Sequence, residues 1–113
     1  MNRYEVMGRH LLERAQQSLA DGDLIQASEK GWGAAAQAMK AAADRRSWQH
    51  NSHGALFQIA SRLAAETGDR RIRELFSLAS ALHTNFYEHW MPQDMVADNL
   101  ESVAELVEKL EAL

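Results

Sequence analysis

Four of the five histidines stand in two short strings that also hold most of the side chains able to handle a proton or a charge. The first string is Arg45-Arg46-Ser47-Trp48-Gln49-His50-Asn51-Ser52-His53. If it is helical, His50 and His53 lie three apart on one face and reach one ligand together. The second string holds His83, Asn85, Tyr87 and His89. A bundle that brings His53 next to His83 makes a polar pocket, with Tyr87 or Asn85 adding hydrogen bonds. The candidate ligand-binding residues are therefore His50, His53, His83, Asn85 and Tyr87. Three inward histidines would make an open zinc or nickel site. A bare His-x-x-His with no second paired motif is common by chance and is more often a pair of surface or cap histidines, or part of a hydrogen-bonded pocket, so no metal and no cofactor are expected. Trp48 beside two arginines can stack a nucleobase, although a tryptophan at a helix start more often packs on the core. Serine nucleophile chemistry has no support, because no Gly-x-Ser-x-Gly turn is present. The glycines never form a phosphate loop either.

Composition narrows the classes further. With 113 residues the chain is expected to form one domain over 1–113. Hydrophobic residues at 46% and charged residues at 25% are ordinary globular values, which excludes a disordered or fibrous chain. The absence of cysteine excludes a disulfide frame, a thiolate nucleophile and a cysteine metal site. No apolar run approaches the roughly 20 residues of a membrane span. The first residues, MNRYEVMGRHLLERAQQ, contain no apolar signal core, so a cytoplasmic protein with no membrane partner is expected. The net charge of −4 hides a gradient: residues 45–73 hold six arginines and two acids, and residues 74–113 hold eight acids and one lysine. The basic middle and acidic tail can meet within the fold or across a dimer. The simplest account is two solvated faces of opposite sign; the sharper one is a local phosphate-binding patch.

The hydrophobic period is helical throughout and predicts an all-α antiparallel bundle of about five helices. Tyr4, Met7, Leu11, Ala15 and Leu19 form the stripe of the first helix. Asp21-Gly22-Asp23 breaks it, and Asp23 can cap a second helix with Gln26 at capping-box spacing. That helix, about Leu24 to Ala43, is rich in alanine and carries Gly31 and Gly33, so it should lie close against a neighbour. Arg45-Arg46-Ser47 is a joint or the start of a third helix bearing Leu56, Ile59, Ala60 and Leu63. Gly68 suits a left-handed cap at its end, and Asp69 suits the N-cap of the fourth helix. Ile72, Leu75, Phe76, Ala79, Leu82 and Phe86 line the fourth helix, which Met91-Pro92 should stop. Val96, Leu100, Val103, Val107 and Leu110 give the last helix a 4-3-4-3 seam, either a bundle stave or a dimer surface. With Leu106 and Leu113 beside that seam, a homodimer is expected. The Ala20-Asp21-Gly22-Asp23 turn, followed by an alanine-rich helix, echoes one tetratricopeptide hairpin, but nothing repeats it.

The segment SEKGWGAAAQAMKAAA, the Arg and His residues after it, and LFSLASALHTNFYEHWMPQDMVADNLESVAELVEKL together resemble the HEPN domains. The likeness is strongest to their small stand-alone PaREP-like branch and runs from about Tyr4 to Leu110. It implies a small helical bundle, frequently a dimer, that recognises a nucleotide or nucleic acid. It also implies a nucleotidyltransferase partner and a place in a toxin–antitoxin system. Many members of the family are metal-independent ribonucleases with an Arg-x4–6-His motif. In such a site histidine moves the 2′-hydroxyl or leaving-group proton and arginine holds the phosphate. The resemblance makes Arg45, Arg46, His50 and His53 the catalytic candidates, since Arg45-x4-His50 and Arg46-x6-His53 have the spacing. The family motif lies before the last helix, whereas here it lies between the second and third, and His89 has no matching arginine. A HEPN-like binding module for a nucleotide, a nucleic-acid end or a partner protein is therefore expected ahead of a ribonuclease. A bundle with a purely structural role is the third reading.

Overall fold

The computed structural model describes residues 2–113 and consists of five α-helices with no strand among the described residues. They are α1 (Arg3–Ala20), α2 (Leu24–Arg45), α3 (His53–Thr67), α4 (Arg71–Glu88) and α5 (Gln93–Glu111). The all-α fold expected from the period is therefore the one formed.

α2 is the central stave and touches every other helix. Its alanines make this possible, because small side chains let neighbouring backbones approach on several sides. Gly31 marks the tightest point: a Cβ there would sit 2.5 Å from Leu100 Cδ2 and 3.0 Å from Leu82 Cδ1. The interior glycine, which costs about 1 kcal/mol in helix propensity against alanine, is the space that α4 and α5 fill.

α1 shows the same device in reverse. A Cβ on Gly8 would lie 3.4 Å from Ala34 O and Ala38 N, so α1 presents Gly8 to the α2 backbone. Gly8, Leu12 and Ala15 are the buried face. This corrects the stripe expected from the sequence, because Met7 is rotated outward and is 47% exposed.

Chain direction departs from a simple up-and-down bundle. Asn2 Nδ2 donates to Ala41 O and Asn85 Nδ2 to Ser28 Oγ, so α1 and α4 both run antiparallel to α2. α3 runs parallel to α2, since His53 sits beside Trp32 and Glu66 pairs with Arg46 at the far ends. The joint at 46–52 must therefore turn back along α2 before α3 begins. A Schellman cap makes the turn: Ser47 N donates to Asp44 O, Trp48 N donates to Ala43 O, and Ser47 is left-handed at φ 60°. Sequence gives no warning of this, because glycine or asparagine ordinarily fills that position. His50 consequently lies in a loop and not on a helix with His53.

The remaining boundaries follow local chemistry. Gln26 N donates to Asp23 Oδ1, the expected cap of α2, and Gly68 closes α3 at φ 73°. Asp69 serves α4 from one residue further out than expected, accepting from Arg71 N. α4 ends at Glu88 and not at Met91-Pro92, because His89 turns left-handed at φ 54°; Pro92 instead precedes α5.

The apolar seam of α5 is wholly covered inside one chain. Val96, Leu100, Val103, Leu106, Val107 and Leu110 are all buried. The seam that pointed to a homodimer is thus part of the core, and of the apolar residues behind that expectation only Leu113 is exposed. The basic middle and acidic tail do meet within the fold: Arg71 makes a two-pronged contact with Glu105, and Lys109 reaches Asp69 at 2.9 Å. α3 is the peripheral helix, touching only α2 and α4.

Candidate functional site

Trp32, Ala36 and Lys40 follow one another at four-residue spacing along α2, on the side that α1 leaves uncovered. Trp32 supplies a ring, Ala36 a low floor, and Lys40 a cation one turn further on. The backward joint then lays His50, Asn51 and Ser52 over this stripe, and α3 begins at His53 with Ser52 Oγ accepting from Ala55 N. The result is a cavity of about 430 Å³ walled by Tyr4, Trp32, Lys40, His50 and His53. No carboxylate lies within 4 Å of Lys40 among the described residues.

His53 and His83 come together as the antiparallel α3–α4 pair requires, with ring centroids 5.4 Å apart. Trp32 lies 5.2 Å from His53 and 5.1 Å from His83, and Tyr87 stands edge-on to His83 at 5.2 Å. Trp32 is also the wall of a second cavity of about 430 Å³, lined by Leu11, Gln26, Glu29, Lys30, His83 and Tyr87. The two cavities differ in character. Each is edged by one lysine; the first adds two imidazoles and no carboxylate, the second adds His83, Phe86 and Tyr87 with the Gln26 amide and the Glu29 carboxylate. Burial, and secondarily the neighbouring His53, push the His83 imidazole below its usual range. The lowered pKa keeps the His83 imidazole neutral near pH 7, able to donate one hydrogen bond and accept one.

The other sequence-derived candidates separate by location. His50 lines the Lys40 cavity, edge-on to Tyr4 at 5.1 Å. Tyr87 projects to solvent at 69% exposure. Asn85 is 1% exposed, and both ends of its amide are hydrogen-bonded. Nδ2 donates to Ser28 Oγ at 2.8 Å, while Oδ1 accepts from Trp90 N and Met91 N at 2.8 and 2.7 Å. It fixes the α4–α5 corner and faces no ligand site beside His83. Arg45 is bound to the Glu5 carboxylate and to Leu110 O. Arg46 pairs with Glu66 at 3.1 Å and lies over the Trp48 ring. Both arginines thus already have protein partners. Two histidines meet, but no three metal-ligating side chains converge among the described residues.

Trp32, Lys40 and Lys30 are not among the candidate site residues that the sequence singles out. The available signal was the four-residue spacing of Trp32 and Lys40 across Ala36 on an otherwise alanine-lined helix. The arrangement can stack a planar ring against the Trp32–His83–Tyr87 group and hold an anion beside Lys40.

No curated protein matches the chain. No helix is long and apolar enough to cross a membrane. A crystal structure of a protein from Sulfolobus solfataricus is similar throughout, with a TM-score of 0.83 and 27% identity over 94% of each chain. Residues 5–107, which include α2, the joint and both histidine-bearing helices, match the profile of one family: the chain belongs to the archaeal PaREP1/PaREP8 family.

Proposed function

We propose that this chain is a HEPN-like binding module for a nucleotide or a nucleic-acid end. The observation that carries the reading is Trp32 standing as the common wall of two cavities, one edged by Lys40 and His53 without a carboxylate and the other by His83, Phe86 and Tyr87. A nucleoside monophosphate has the matching polarity: a planar base for the Trp32–His83–Tyr87 side and a phosphate for the Lys40–His53 side. Gln26 and Glu29 line the aromatic cavity and offer amide and carboxylate groups to base edges.

Binding is favoured over cleavage. Phosphodiester cleavage without a metal needs a cation on the developing phosphate charge, and losing one such donor typically costs 10²–10³ in rate. Arg45 and Arg46, the cations with the family spacing, are held by Glu5 and Glu66. Lys40 remains, as a point charge without the bidentate fork of arginine.

Titration calorimetry with nucleoside 5′-monophosphates tests the reading. Wild type should bind, and His53→Ala and Lys40→Ala should each weaken binding at least about tenfold, the effect of one lost charge-assisted hydrogen bond. Wild-type protein that binds no nucleotide, or variants that bind as well as wild type, would overturn it.

A further inference from the structure

Beside the Lys40 cavity a groove of about 1060 Å³ runs along the outer face of the joint and α3. Asn51 and Ser52 line both spaces, so the two are neighbours across a ridge two residues wide. The groove's lining includes no carboxylate; it is formed by Gln49, Gln58, Ser61 and Arg62, with Trp48 at one end. Arg62 lies over the Trp48 indole, its Cζ 3.8 Å from the ring centroid. Arg46 approaches the same indole at 5.6 Å. Trp48 therefore does not offer a face to a base, which the sequence had suggested. It backs a guanidinium.

Arg62 is exposed to solvent and makes no side-chain hydrogen bond among the described residues. No carboxylate lies within 4 Å of it among the described residues. A flat guanidinium with a free edge matches a phosphate oxygen pair. The neutral amides around it suit the sugar and base edges of an extended strand. The left-handed Ser47 at φ 60° fixes the turn that delivers Trp48, a local strain of the sort held at binding sites.

We infer that the ligand is a phosphodiester-linked single strand, whose end occupies the Trp32 site and whose next phosphate is held by Arg62. The inference rests on the nucleotide reading for the terminal residue, and it adds a second subsite across the Asn51–Ser52 ridge.

Fluorescence anisotropy with labelled single-stranded RNA and DNA of one, two, four and eight nucleotides tests it. A tetranucleotide should bind at least tenfold tighter than a mononucleotide. Arg62→Ala should remove that gain and leave mononucleotide binding unchanged. Arg62→Lys, which keeps charge but loses the planar guanidinium, should recover only part of it. The dependence of log K on log salt should become shallower by about 0.7 in Arg62→Ala, as for one lost phosphate contact on a single strand. Mononucleotide binding without any gain in length overturns this inference and leaves the nucleotide reading standing. An Arg62-dependent gain with no mononucleotide binding supports the groove and overturns the Trp32 reading. Polyphosphate or polyglutamate binding as tightly as the oligonucleotide overturns the inference in favour of a general polyanion or an acidic peptide. RNA against DNA of one sequence decides whether the 2′-hydroxyl is read.

Discussion

Asn85 and His83 stand two residues apart on α4 and carry comparable polar side chains, yet they answer to different demands. Asn85 is buried with one donor and two accepted hydrogen bonds, linking α2, α4 and the strand of chain that enters α5. His83 shares its surroundings with Trp32, His53 and Tyr87 through ring contacts alone. A buried polar group must be satisfied, because an unpaired one costs about 1–3 kcal/mol. A half-buried one beside a cavity can stay open. The contrast separates two kinds of polar residue that look alike in a sequence: one whose partners are supplied by the fold, and one whose partners are left for a ligand.

The largest expected effect comes from breaking the satisfied side of the contrast. Asn85→Ala leaves the Trp90 and Met91 N–H groups without partners and removes the bond that Ser28 Oγ accepts, although that hydroxyl still donates to Leu24 O, and should cost about 3 kcal/mol. Thermal unfolding should shift down by on the order of 10 °C. A shift under about 3 °C would mean that water replaces the amide. By contrast, His53→Ala, which removes no hydrogen bond of the fold, should change stability by less than about 1 kcal/mol while weakening nucleotide binding.

A second test asks whether the α2 core is as tightly matched as the Asn85 network. Gly31→Ala gains about 1 kcal/mol in helix propensity but drives a methyl group to 2.5 Å from Leu100 Cδ2. Overpacking of this kind costs about 1–3 kcal/mol. The net outcome should be destabilisation by about 1 kcal/mol, read from denaturant midpoints at unchanged m value. Any increase in stability would show that Leu100 and Leu82 can move aside.

The smallest effect concerns pH. His83 has its pKa lowered in the fold, by burial first and by His53 second. Protonating it therefore opposes folding. Its contribution to stability is complete above the ordinary histidine value of about 6.5 and is lost as pH falls through that value to the folded one. Stability should decline between about pH 7 and pH 5, and His83→Gln should flatten that decline. An unchanged slope in the variant would assign the dependence to another group.

Helix existence was legible because apolar spacing and punctuation agreed: Asp21-Gly22-Asp23 and Thr67-Gly68-Asp69 became the turns they resemble. The pairing of His53 with His83 was legible as well, since it follows from hairpin geometry between α3 and α4. The direction of α3 was not, because it depends on Ser47 taking a left-handed conformation that its side chain does not advertise. The structural part of Asn85 was not legible, because nothing local distinguishes an amide that will meet Ser28, 57 residues away, from one that will face solvent. Met7 was placed inside for a related reason. Periodicity alone does not reveal that Gly8, with no side chain, is the point of closest approach.

The peripheral position of α3 has a kinetic meaning. A helix that rests on α2 and α4 alone, and is reached through a seven-residue joint, has few apolar contacts to break before it lifts away. Partial openings of this type need less free energy than global unfolding. α3 also carries His53, Gln58, Ser61 and Arg62, while Trp32, Lys40 and His83 stay on the central staves. The Trp32 subsite is thus divided between a slow-exchanging frame and a fast-exchanging flap, whereas the Arg62 groove lies wholly on the joint and α3. A bound strand would span both, so amide protons of α3 and the joint would exchange more slowly in its presence, with those of α2 and α5 little changed.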